Sequence, residues 1–157
     1  MLSAARQFSV FLENKPGRLA DVATALAKAR VNIVALDVPQ SNENSLIRIV
    51  VDDPSKARSL LKRESFPFAE NEVLLIDLDN EPGALASATT RLGKSGINID
   101  YAYGSTGEIS GRTRVVIQVN DVLKARKVLG ASESVRKAHP FHSKPRYVNR
   151  EGRGGRF

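Results

Sequence analysis

The chain has 157 residues and a formal net charge of +7. It contains no cysteine, which excludes disulfides, zinc–thiolate sites and a cysteine nucleophile. No apolar run approaches the roughly 18 residues of a membrane span, and Met1–Gln7 lacks the apolar core of a signal peptide, so the cytoplasm is the expected location. Most of the excess charge lies in residues 132–157, where Arg136, Lys137, Lys144, Arg146, Arg150, Arg153 and Arg156 face only Glu133 and Glu151.

Gln7–Leu12 is apolar and aromatic enough to be a strand. Pro16 suits the first turn of a helix, where its missing N–H is no loss. Leu19, Val22, Ala23, Leu26 and Ala29 follow at helical spacing. Ile33–Val38 reads as a second strand ended by Pro39, Ser41–Asn44 as a polar turn and Leu46–Val51 as a third strand. Asp53-Pro54 is a helix start, with Asp as cap and Pro at the first helical position. Ser65–Ala69 offers a short fourth strand.

The same grammar then recurs. Asn14-Lys15-Pro16-Gly17-Arg18-Leu19-Ala20, leading to Asn32-Ile33, returns as Asn80-Glu81-Pro82-Gly83-Ala84-Leu85-Ala86, leading to Asn98-Ile99. About ten of roughly twenty-five aligned positions are identical, which marks an internal repeat. In the second copy Val73–Leu78 is the first strand, and Leu85, Ala88 and Leu92 form the helix stripe. Asp100–Tyr103 and Arg114–Val119 are joined by a Gly-rich turn from Gly104 to Gly111, and Asp121–Leu129 repeats the second helix. The order is that of βαββαβ units, so the fold class is α+β: two tandem ferredoxin-like units, antiparallel sheets with helices on one face. The units span residues 1–70 and 71–131, and residues 132–157 form a basic tail. An eight-stranded sheet is expected, with the last strand of the second unit unassigned; Ser134–Lys137 or Arg146–Val148 are the candidates for it.

Asn14 and Asn80 stand between strand and helix. A side-chain amide both donates and accepts, so it can address the carboxylate and ammonium of a free amino acid. The helix N-terminus presents N–H groups to an anion, and Gly17 and Gly83 remove the Cβ that would block close approach. The plainer reading of the same residues is helix-cap chemistry. Asn32 and Asn98 follow the first helix of each copy, where Asn tolerates the left-handed conformation; the functional reading makes them second amides closing over a ligand. His139 and His142 flank Pro140 in the tail and suggest no metal site. No catalytic constellation and no cofactor motif is present, so no enzyme activity, metal or cofactor is expected.

The pattern carried by Leu12–Ala20 and Leu78–Ala86 resembles the ACT domain, and residues 6–131 resemble a small stand-alone tandem of two. The resemblance implies a regulatory, allosteric protein that binds a small ligand, most often an amino acid, at an interface between ACT units. By motif the ligand residues are Asn14, Lys15, Pro16, Gly17, Arg18 and Asn32, with Asn80, Glu81, Pro82, Gly83, Ala84 and Asn98. A serine-binding subgroup with this motif has His two places before the Asn; Leu12 and Leu78 stand there, against serine. Ala84 replaces Arg18, so the two sites need not be equivalent.

A homodimer and no membrane partner are expected. Two other readings compete: a regulatory subunit of an amino-acid biosynthetic enzyme, and an RNA-binding module of the same strand order. The latter needs aromatic residues on its third strand, and neither Leu46–Val51 nor Arg114–Val119 has one, which leaves only the basic tail for nucleic acid.

Overall fold

The computed structural model describes residues 1–39, 44–109 and 111–130. Of the turn expected at Ser41–Asn44, residues 41–43 lie outside the described residues and Asn44 already belongs to a strand, and both histidines and the whole tail also lie outside them. The elements are β1 Leu2–Glu13, α1 Arg18–Lys28, β2 Ile33–Asp37, β3 Asn44–Val51, α2 Pro54–Arg63, β4 Phe68–Asp79, α3 Ala84–Lys94, β5 Ile99–Ile109, β6 Arg112–Val119 and α4 Val122–Gly130. They form one antiparallel sheet of six strands in the order β2-β3-β1-β4-β6-β5.

Six strands, rather than eight, suffice because the two central ones each serve both units. β1 pairs with β4 from Leu2↔Ile76 through Arg6↔Glu72 to Val10↔Phe68. The repeat offset carries Asn14 to Asn80, 66 positions on. Applied to this ladder, it exchanges Leu2↔Ile76 with Phe68↔Val10, so the two units are related by a pseudo-dyad through Arg6–Glu72. The C-terminal half of β1 is the first strand of unit one, and its N-terminal half fills the fourth-strand slot of unit two. β4 does the reverse. The strand sought in the tail is therefore supplied by Leu2–Ala5, and the short strand expected at Ser65–Ala69 is the start of the twelve-residue β4.

Alternation along β1 sets the layers. Phe8, Val10 and Leu12 face a core under α1 and α2 that includes Val22, Leu26, Ile49 and Leu61. Leu2 and Ala4, of the same parity, pack on a second core with Leu74, Leu92, Ile117 and Leu129. All four helices thus cover one face. Leu19 and Leu85, expected in the helix stripes, are instead 40% and 50% exposed. Each sits in the first turn of its helix.

The opposite face is buried too. Ala35, Val50, Val73 and Val116 form a third cluster there, because the sheet curls until its edge strands β2 and β5 meet. Inside the curl, the buried Gln7 donates from Nε2 to Tyr101 Oη at 2.6 Å and accepts at Oε1 from Tyr103 Oη at 2.9 Å. Arg48 donates to Asp37 at 2.7 Å, and its guanidinium lies 4.2 Å from the centre of the Tyr101 ring. Strand β1 of one unit is thereby pinned to β5 of the other. The Gly-rich turn expected from Gly104 to Gly111 is mostly strand: β5 continues to Ile109, with a register shift between Gly104 and Glu108. Among the described residues no helix is long and apolar enough to cross a membrane.

Candidate functional site

The two Pro-Gly loops have the same backbone. In the first, Lys15 N–H donates to Glu13 O at 2.9 Å, Arg18 N–H to Lys15 O at 3.3 Å and Asp21 N–H to Gly17 O at 2.9 Å. In the second, Glu81, Ala84 and Ser87 repeat these bonds at 2.8, 3.3 and 2.9 Å. Gly17 and Gly83 are the N-caps, in the left-handed region at φ 90° and 93°. Neither helix has a side-chain cap, so Asn14 and Asn80 are not the caps the plainer reading makes them. Pro16 and Pro82 precede the helices instead of starting them. Among the described residues, and leaving aside each glycine's chain neighbours, no atom lies within 4 Å of a Cβ built on either glycine, so these positions need glycine for its φ rather than for space.

The loops differ in charge. Lys15 and Arg18 both turn to Glu13, at 2.8 and 3.6 Å. The hydrogen bond from Lys15, with the charges of Lys15 and Arg18, holds the Glu13 carboxyl below its ordinary range. In the second loop Ala84 brings no charge, and Asp79 pairs with Arg112 at 3.1 Å. Leu19 and Leu85 are exposed beside their loops.

Asn32 and Asn98 lie elsewhere. The left-handed residues after the first helices are Arg30 and Gly96, at φ 55° and 69°, so the asparagines are not there for that conformation. Their backbones tie the start of a strand to the end of its neighbour. Asn32 N–H donates to Asp52 Oδ1 at 2.9 Å and Asp52 N–H returns a bond to Asn32 O at 3.1 Å. Asn98 N–H donates to Asn120 Oδ1 at 3.1 Å, and Asn120 N–H to Asn98 O at 3.3 Å. Asn98 Nδ2 also donates to Asp100 at 2.8 Å.

The register fixes how far these groups are from the loops. Ile33 pairs with Val51, and Val50 with Gln7, which sets Asn32 level with the dyad. Ile99 pairs with Val119, and Ile117 with Leu74, which does the same for Asn98. Asn14 stands eight positions from Arg6 along β1, about 25 Å at the rise of a strand. Asn80 stands as far away in the other direction. Within one chain, therefore, neither Pro-Gly loop meets Asn32 or Asn98.

Two features escaped the sequence reading. One is the Gln7–Tyr101–Tyr103 network, whose only signal was a lone amide among apolar residues and two tyrosines at alternate positions. The other is a cavity of about 440 Å³ between β4, α3 and the end of α4, whose lining includes Ala84, Arg91 and Arg112.

The chain matches the family model described as an ACT domain pair over residues 3–134. No curated protein matches it. Among solved structures, protein BT0572 from Bacteroides thetaiotaomicron is 35% identical, with a TM-score of 0.77 over 84% of this chain and 90% of that one. The regulatory subunit of aspartate kinase from Thermus thermophilus, in its ligand-free form, is 16% identical, with a TM-score of 0.64 over 87% and 96%. The latter is a likeness of fold. With the family model spanning most of its length, the chain belongs to the ACT domain pair family.

Proposed function

We propose that the chain is a non-catalytic regulatory module. It binds a free amino acid at its Pro-Gly loops, and Asn32 or Asn98 of a second copy closes the site. The observation that carries this reading is the pair of equivalent helix N-termini, each without a side-chain cap and flanked by an exposed leucine. Such an end supplies N–H groups and partial positive charge for a carboxylate. The amides and carbonyls of Asn14, Asn32, Asn80 and Asn98 are acceptors for an ammonium. Because Asn14 and Asn80 each stand about 25 Å along the sheet from the level of Asn32 and Asn98, a ligand bridging those asparagines calls for a homodimer. A ligand shared between copies shifts their association, which is how a module without chemistry of its own transmits a signal. Calorimetric titration of the wild type, Asn14→Ala and Asn80→Ala tests the loops. Weaker binding in either variant supports them, and unchanged affinity in both, at unchanged stability, removes them.

A second reading makes the module a regulatory subunit of an amino-acid biosynthetic enzyme. It is favoured by the likeness of fold to the Thermus thermophilus protein, which is the regulatory subunit of aspartate kinase. Recovery of a stoichiometric enzyme in a pull-down supports it.

A further inference from the structure

The charge of this chain is divided between its two layers. The four helices of the described residues carry eleven lysines and arginines and a single acid, Asp21. The other described acids stand on strands and in turns. Three of them accept from backbone N–H groups: Asp52 from Asn32, Asp53 from Lys56 and Asp121 from Lys124. All four helices cover one face of the sheet, with α1 beside α2 and α3 beside α4, so that face is basic throughout.

The cations repeat about the pseudo-dyad. Lys28 and Lys94, 66 positions apart like the loops, are both exposed at the ends of α1 and α3. The buried Ala57 and Leu61 of α2 align with Ala125 and Leu129 of α4, which pairs Lys56 with Lys124 and Arg58 with Arg126. The second unit leaves its cations freer. Arg58 donates to Glu70 at 2.8 Å, whereas the dyad puts Ala4 in the place of Glu70. Arg126 then has no ion pair among the described residues, and neither have Lys28, Lys94, Lys124 and Lys127. Along the chain α4 leads into residues 132–157, with seven basic residues against Glu133 and Glu151.

The chemistry of this face narrows its partner. Single strands are held by stacking on aromatic rings, and none of the four helices carries one. Tyr101 and Tyr103 are bound to Gln7 inside the curl. A protein partner needs clustered aromatic or apolar anchors, and a bilayer needs a continuous apolar flank. The exposed leucines here, Leu19, Leu85 and Leu123, stand singly on three different helices. A duplex is held through its phosphates alone, by lysine and arginine. Its backbones are related by local two-fold axes, which match cations repeated about a dyad. We propose that the helical face binds double-stranded nucleic acid through the phosphate backbone, without reading sequence, and that the tail adds to this contact. The proposal is independent of the amino-acid site.

The test is fluorescence anisotropy of the full chain with a labelled DNA duplex of about 30 base pairs, roughly three turns, in a salt series from about 50 to 200 mM. Binding should be indifferent to sequence and fall steeply with salt. The double variant Lys28→Ala, Lys94→Ala should lower the slope of log affinity against log salt by about two. The triple variant Lys124→Ala, Arg126→Ala, Lys127→Ala should lower it by about three, one for each phosphate contact. All five residues are exposed, so the melting temperatures should stay where they are. Removing residues 132–157 should weaken binding and leave both effects in place. Wild-type affinity and slope in both variants overturns the proposal, as does failure to bind the duplex at all. Loss of all binding with the tail overturns it too, since the tail is then the sole contact. Equal affinity for single-stranded DNA of the same length, or a preference for vesicles containing phosphatidylserine, does the same.

Discussion

Replacing Gln7 by leucine tests whether the two units are joined through the inside of the curled sheet. Gln7 is fully buried, and its amide is used at both ends, on Tyr101 and Tyr103. Leucine keeps the volume and leaves two hydroxyls without their partner, at about 1–3 kcal/mol each. Tyr101 and Tyr103 are only partly buried, so water relieves some of this, and the expected cost is about 2–4 kcal/mol. Restoring consistency should restore stability: the triple variant Gln7→Leu, Tyr101→Phe, Tyr103→Phe should recover most of the loss, because an apolar replacement of both partners is nearly neutral. Urea unfolding with a constant m-value reads the difference directly. A neutral Gln7→Leu, or a triple variant no better than the single one, would refute the reasoning.

Leu26→Ala, in the first core and fully buried, should cost about 2–5 kcal/mol by chemical denaturation. Removing Met1–Ala5 should destabilise unit two by on the order of 5 kcal/mol, from lost ladder bonds and the burial of Leu2; hydrogen exchange should rise first in β6 and α4. Removing residues 132–157 should leave unit two folded, since Leu2–Ala5 already fill the slot beside β4, and circular dichroism would expose the contrary. Stability should fall at acid pH. Hydrogen bonding to Arg114 lowers the pKa of Asp77 from 3.8, and hydrogen bonding to Arg58 lowers that of Glu70 from 4.5. Each contributes stability that is present above its unfolded value and lost as pH falls through the folded one, below about pH 4. Asp77→Asn should flatten that limb in a pH series of melts.

The repeat made most of the fold legible. Pro-Gly followed by apolar residues at helical spacing located both first helices, and Asp53-Pro54 located α2, with Asp53 accepting from Lys56 N–H at 3.0 Å. The strand count was not legible, because strand sharing is a property of the ladder and leaves no local mark. Leu2–Ala5 is short and rich in small residues, and it becomes a strand only because β4 stands beside it. The same holds for the curl: Gln7 reads as an anomaly in an apolar run until Tyr101 and Tyr103, far away in sequence, supply its partners. Of the candidate site, the loops were visible as motif and Asn32 and Asn98 as repeats. Their distance from the loops follows from register alone.

The central claim is that the folded chain binds an amino acid. A thermal-shift screen of the full chain against every proteinogenic amino acid measures this without prior choice of ligand. A compound that binds only the folded state raises the melting temperature, through about 2.7 kcal/mol of stabilisation at a hundredfold excess over its dissociation constant. The expected result is a dose-dependent rise with one amino acid or a few chemically related ones, accompanied by a change in molar mass in sedimentation. No rise with any of them, at concentrations up to the millimolar range, would contradict the claim and move the chain to the enzyme-subunit reading.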